Sequence, residues 1–191
     1  MNDLILDLRP TIKLTDEQFF QICQNNRDLR IERTAEGELI IMPPTGWESG
    51  NRNSRLTQRL GNWADADGTG LTFDSSTGFK LPNGANRSPD ASWVSRERLI
   101  ALNPDPAKFL PMAPDFVAEL RSATDSLETL RRKMQEYIDN GVHLGWLIDP
   151  QNQQVEIYRP EQEVEILKSP TSLSGEDVLP GFVLNLAQIL T

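Results

Sequence analysis

The chain has 191 residues, 38% of them hydrophobic and 25% charged, a size and balance that suit one globular domain with enough core to fold without staples. Lys and Arg number 19 against 28 Asp and Glu, for a net charge of −9. That excess excludes broad, sequence-independent affinity for nucleic acid, which comes from neutralising phosphates. The single cysteine, Cys23, cannot form an internal disulfide, no charged segment followed by an apolar one opens the chain, and no apolar run nears the roughly 20 residues of a membrane span. The expectation is a soluble cytoplasmic protein with no membrane partner.

In chain order, Thr15 reads as the N-cap of a first helix, with Gln18 completing a capping box and Phe19, Phe20, Ile22 and Cys23 following at helical spacing to about Asn26. Leu29 to Thr34 and Glu38 to Met42 flank Ala35-Glu36-Gly37 and predict a hairpin, which Pro43-Pro44 stops. A long helix is expected from about Thr45 to Ala66, then strands over Leu71 to Ser75 and Gly78 to Leu81 and a loop from Pro82 to Asn86. Arg96 to Leu102 reads as a short helix before the proline-rich connector Asn103 to Pro111. Beyond it lie a strand from Asp115 to Arg121, an amphipathic helix from Ser126 to Asn140 closed by Gly141, and a strand from His143 to Ile148. The tail adds a hairpin, Val155 to Tyr158 with Val164 to Leu167, and a last apolar piece, Phe182 to Leu190. Strands mixed with few helices give an α/β class, an α+β arrangement on a mixed sheet, with Phe116 to Leu120 apolar enough to be covered on both faces.

The strongest chemical signal is a pair of proline-aspartate steps, Ser88-Pro89-Asp90 and Ala113-Pro114-Asp115, each opening an apolar run, the second of which carries Glu119. An acid inside a hydrophobic strand is costly unless it meets a cation, a metal or a donor. Alternate residues share a strand face, so Asp115, Val117, Glu119 and Arg121 project together, with Glu119 and Arg121 ~6.7 Å apart along the backbone. If Asp90 begins a neighbouring strand, two carboxylates meet at one locus. At ~4 Å they repel by roughly 4 kcal/mol at an effective dielectric of 20, which invites a divalent ion, and oxygen-only ligands favour Mg²⁺ or Mn²⁺. The plainer reading is that aspartate after proline is a turn residue and that Glu119 and Arg121 form an ion pair closing a buried strand.

Read together, Met42-Pro43-Pro44-Thr45-Gly46 leading into the long helix, Ser88-Pro89-Asp90, Ala113 to Ser122, Lys133 to Tyr137, and Gly141 to Pro150 with its Trp146-Leu147-Ile148-Asp149-Pro150 ending resemble the PD-(D/E)xK nuclease superfamily. More narrowly they resemble the Uma-type restriction-endonuclease family, over most of the chain. The resemblance implies a single restriction-endonuclease-like domain over residues 1–191, with an added N-terminal helix and hairpin and a C-terminal β-hairpin. It implies a metal-dependent endonuclease acting on DNA, with Asp90 and Glu119 as ligands of Mg²⁺ or Mn²⁺ and the Leu120 carbonyl as a further ligand.

The third motif position, a lysine in the superfamily, is Arg121 here. A guanidinium stays protonated and grips phosphate rather than acting as a base. Lys133 is the substitute the chain offers, on the border of the stripe Leu127, Leu130, Met134, Tyr137 and Ile138, where it either swings its ammonium toward the sheet or snorkels into water. The long helix buries Leu56, Leu60 and Trp63, yet that face continues one and two turns earlier as Ser49, Arg52 and Asn53, flanked by Glu48. Glu48 is therefore a candidate third ligand or an i,i+4 partner of Arg52, and Arg52, Arg55 and Arg59 are candidate phosphate contacts. His143 stands alone, so no histidine triad forms, and Trp47 at the helix entrance is either core or a base-stacking face. Two further readings stand beside the endonuclease. One is a catalytically degenerate module of the same fold that binds nucleic acid or protein; the other is a homodimer built on the hairpin Val155 to Leu167.

Overall fold

The computed structural model describes residues 3–190. Short β1 (Leu4–Leu6) precedes α1 (Asp16–Asn25), where the Thr15 capping box with Gln18 forms as the sequence dictates. β2 (Arg30–Arg33) and β3 (Leu39–Met42) make the hairpin, and α2 (Trp47–Asp67) ends at Gly68, whose positive φ of 73° suits the residue. β4 (Gly70–Asp74), β5 (Phe79–Lys80), β6 (Asn86–Arg87) and β7 (Ala91–Ser95) lead into α3 (Arg96–Leu102). β8 (Phe116–Leu120), α4 (Leu127–Asp139) and β9 (Leu144–Asp149) follow, and β10 (Gln154–Tyr158), β11 (Glu165–Lys168), β12 (Ser172–Ser174) and β13 (Val183–Asn185) complete the chain. This is a mixed α+β fold on a mixed sheet, as its element pattern implies.

The larger sheet runs β11-β10-β9-β8-β7-β4, and its β8 and β9 are parallel while the other pairs are antiparallel. A parallel pair needs a crossover, which α4 supplies. One face packs under α2 and the C-terminal segment, through Leu56, Leu60, Phe116, Ala118, Trp146, Phe182 and Ile189. Phe116 meets Trp146 edge-on at 4.8 Å between ring centroids, and Trp146 stacks on Phe182 at 6.0 Å. The opposite face packs under α4 through Val117, Met134, Tyr137, Leu147 and Tyr158. A smaller antiparallel sheet, β1-β3-β2-β6-β5, lies beside α4 and brings β2 against it.

Three expectations change. Of the stretch from Pro82 to Asn86, residues 82–85 lie in the turn of a second small hairpin, β5 with β6, and Asn86 opens β6, rather than the whole being a plain loop. The C-terminal hairpin is not an appendage: β10 and β11 extend the larger sheet through β9. β1 and β12 are strands without a sequence signature, each defined by its partner, β3 and β13 respectively. Among the described residues no helix is long and apolar enough to cross a membrane.

At the far edge of the sheet, β4 approaches β7 so closely that a Cβ at Gly70 would overlap the Trp93 indole. A rigid ring cannot step aside as a flexible side chain does. Gly70→Ala is expected to lower unfolding stability by about 1–3 kcal/mol, seen as a lower urea midpoint at unchanged slope.

Candidate active site

Asp90 precedes β7 directly, and the pairing of Ala91 with Ala118 sets it across from Glu119 of β8. The two carboxylates draw partners from different layers. Asp90 Oδ2 accepts the Leu120 N–H at 2.9 Å and Oδ1 accepts Asn53 Nδ2 of α2 at 3.1 Å. Glu119, 4% exposed, turns toward α4, where its Oε1 accepts the Tyr137 hydroxyl at 2.9 Å and meets the Lys133 ammonium at 2.9 Å. Lys133 and Tyr137 are four apart on one helix, so successive turns of α4 address the same carboxylate.

The Lys133 ammonium also reaches Glu32 Oε1 at 2.9 Å. Glu32, 2% exposed, accepts the Ser88 N–H at 2.9 Å and Arg87 Nη1 at 3.1 Å, and Arg87 Nε donates to Glu136 at 2.6 Å. Glu119, Glu32 and Glu136 thus face two cations, Lys133 and Arg87, while among the described residues Asp90 makes no ion pair.

The protonation tendencies follow. Burial pushes Glu119 up to about 7, and the nearby charges of Asp90 and Glu32 add to that rise against the pull of Lys133. Burial also raises Asp90. Burial alone would lower Lys133, but Glu119 and Glu32 outweigh it and hold the ammonium above its ordinary value. Glu32 sits below its ordinary value because Lys133, Arg87 and the Ser88 N–H together overcome its own burial.

The remaining sequence candidates lie elsewhere. Arg121 does not share a locus with Glu119: its Nη1 donates to Asp149 Oδ2 at 2.9 Å and its Nε to the Asp125 carbonyl at 3.2 Å, so it braces the turn after β8. Asp115 is tied at the other end of that strand to Arg98 and the Ser95 N–H. Glu48 pairs with Arg52 at 2.9 Å on the exposed side of α2, and among the described residues no group of three or more His, Cys, Asp or Glu side chains converges as a metal site. It is Asn53, not Glu48, that α2 brings to Asp90. Arg55 donates to Asn51 within α2, and Arg59 is held by the Asn185 and Ala187 carbonyls, which ties α2 to the C-terminal segment instead of leaving a cation for phosphate. Trp47 is 86% exposed and so is not core. Sequence reasoning did not reach Glu32 or Arg87; the only local sign was a pair of charges, Glu32-Arg33, inside a predicted strand.

A metal implied by the motif fits the donors present. Two carboxylates supply hard oxygens, and Asn53 Oδ1 is buried beside Asp90 with no hydrogen-bond partner. The residues that would hold the metal are Asp90 and Glu119, with Asn53 oxygen available alongside.

Comparison with known proteins bears on this arrangement. A family model described as "Uma2: Putative restriction endonuclease" matches residues 16–187. The chain belongs to the Uma2 family. This Uma2 chain also resembles a solved structure described as a "putative nuclease belonging to DUF820 from Anabaena variabilis ATCC 29413", with a TM-score of 0.79 and 21% identity over 93% of this chain and 97% of that one. At that identity the likeness establishes the fold. No curated protein matches the Uma2 chain.

The raised Glu119 has a consequence for stability. Between its ordinary 4.5 and about 7 the folded state holds a proton that the unfolded chain has released, so Glu119 stabilises the fold below 4.5 and that contribution is lost as pH rises through about 7. Urea unfolding at pH 5 and pH 8 in chelator should therefore show wild type losing on the order of 3 kcal/mol relative to Glu119→Gln. A pH-independent difference would mean that Glu119 titrates normally.

Proposed function

We propose that this Uma2 protein is an endonuclease that hydrolyses DNA phosphodiester bonds with Mg²⁺ or Mn²⁺ held by Asp90 and Glu119. The observation that carries this reading is the placement of an acid-acid-lysine set from three elements: Asp90 before β7 lies opposite Glu119 of β8 in the ladder, and Glu119 contacts Lys133 of α4. When bound, such an ion supplies Lewis acidity toward a phosphoryl oxygen and toward water. Lys133, kept as an ammonium by its two carboxylates, serves as a donor to developing phosphoryl charge rather than as a base. The Leu120 N–H and Asn53 fix the Asp90 carboxylate, and Tyr137 fixes that of Glu119. The exposed Trp47 offers a base-stacking face at the start of α2, the helix that carries Asn53.

A second reading, a binding module of the same fold without catalysis, draws support from Arg121. At the usual lysine position this residue is spent on Asp149 and the Asp125 carbonyl.

Plasmid and short duplexes incubated with purified protein and Mg²⁺ or Mn²⁺ separate the two. Wild type is expected to nick or cut, with Asp90→Ala and Glu119→Ala slower by about 100-fold or more. Equal cutting by wild type and Asp90→Ala removes the endonuclease assignment. Calorimetric Mn²⁺ heat in wild type that is absent from Asp90→Ala supports the ion site independently of cutting, and no heat in either favours the binding module.

A further inference from the structure

Lys133 reaches the site from a helix and ends between two carboxylates that are not equivalent. Glu119 belongs to the proposed ligand pair and must share its oxygens with an ion. Glu32 does not: it lies on β2, in the smaller sheet, and is fixed on two other sides by the Ser88 N–H and Arg87, with Arg87 itself anchored on Glu136. An ammonium has three N–H donors. With Glu32 and Glu119 taking two, one is left for an incoming oxygen, and among the described residues no third acceptor claims it. Glu32 is the acceptor of Lys133 that lies outside the proposed ligand pair.

We propose that Glu32 is a positioning residue for Lys133: a carboxylate of the N-terminal hairpin, 101 residues away in sequence, that aims the ammonium at the phosphoryl group being cleaved. The proposal rests on the endonuclease reading and adds to it a residue outside the motif. It explains why a carboxylate is buried at 2% exposure in a short hairpin strand, where an apolar residue would be cheaper to bury. The network also passes through Ser88, two residues before Asp90, so the rival role for Glu32 is to hold the Asp90 segment.

A double-mutant cycle separates the roles. Glu32→Gln keeps the shape and an acceptor for the Ser88 N–H, and it is compared with wild type, Lys133→Met and the double variant, each checked for folding by thermal melting. Three readouts are taken: single-turnover DNA cleavage with Mn²⁺, calorimetric Mn²⁺ affinity, and the ¹⁵N-detected signal of the Lys133 ammonium, visible only while its protons exchange slowly. The expected result is that Glu32→Gln lowers the maximal cleavage rate about 10- to 100-fold with the DNA concentration for half-maximal rate within about twofold. In the Lys133→Met background it should cause no further loss, and the ammonium signal should broaden away. An equal loss with and without Lys133, a loss confined to Mn²⁺ affinity, or a full-rate Glu32→Gln overturns the proposal. If wild type cuts no DNA with either ion, the endonuclease reading fails by itself, and the ammonium signal still decides the positioning: persistence in Glu32→Gln overturns it. Should Glu32→Gln fail to fold, Lys133→Met decides through the Arg87 guanidinium signal, which must persist if Glu32 stands anchored without the lysine and whose loss overturns the proposal.

Discussion

The Lys133 ammonium, buried between Glu32 and Glu119, is the contact on which the arrangement of this molecule turns. Glu32 belongs to the smaller sheet, Glu119 to the larger, and Lys133 to the helix that crosses over the larger sheet. Taking three charges out of water costs several kcal/mol per ion before attraction repays it, and repayment requires that every remaining lone pair be met. Here Ser88 and Arg87 meet Glu32, and Tyr137 meets Glu119. Removing any one partner strands another buried charge, so the two sheets and α4 are held in one relative placement. Hydrophobic packing under α4 makes the contact dry; the ions make it specific.

Arg121 stands apart from this contact. Arg121 spreads its planar donors over Asp149 and the Asp125 carbonyl and locks the turn between β8 and α4. That lock matters to the site, because the turn fixes where α4 is capped, at Ser126, and hence where Lys133 and Tyr137 emerge about two and three turns later. Arg121 thus supports the helix that carries the Lys133 ammonium.

Much of this was legible in the sequence. The capping box at Thr15, the apolar run at Phe116 and the stripe on α4 are local patterns, and local patterns set α1, β8 and α4. Asp90 and Glu119 were legible because proline punctuation fixes where each strand starts, which aligns the acids across the ladder. Lys133 was legible only as an ambiguity, since a border position permits either direction. Glu32 was not legible: polar residues in a four-residue hairpin strand read as the solvated half of an alternation, and their burial depends on α4 closing over them from 101 residues away. Arg59 misled for the converse reason. Its spacing with Arg52 and Arg55 looks like a basic ridge, but the C-terminal segment that absorbs it folds back 126 to 128 residues later. The short strands β1, β6 and β12 carry no period and exist only through their partners.

The charge distribution shapes how such a site would meet a polyanion. With a net charge of −9, the protein as a whole repels DNA, so long-range steering cannot supply affinity. Attraction would have to come at short range, where the low dielectric around the Lys133 cluster strengthens each charge and where an ion on Asp90 and Glu119 would offset their negative charge. Affinity for a phosphate would then depend on the ion more than on basic surface. On the proposed reading, such a protein would gain little from sliding along DNA and would engage it where the backbone reaches the sheet rim, with the buried cluster rather than the outer arginines of α2 deciding the contact.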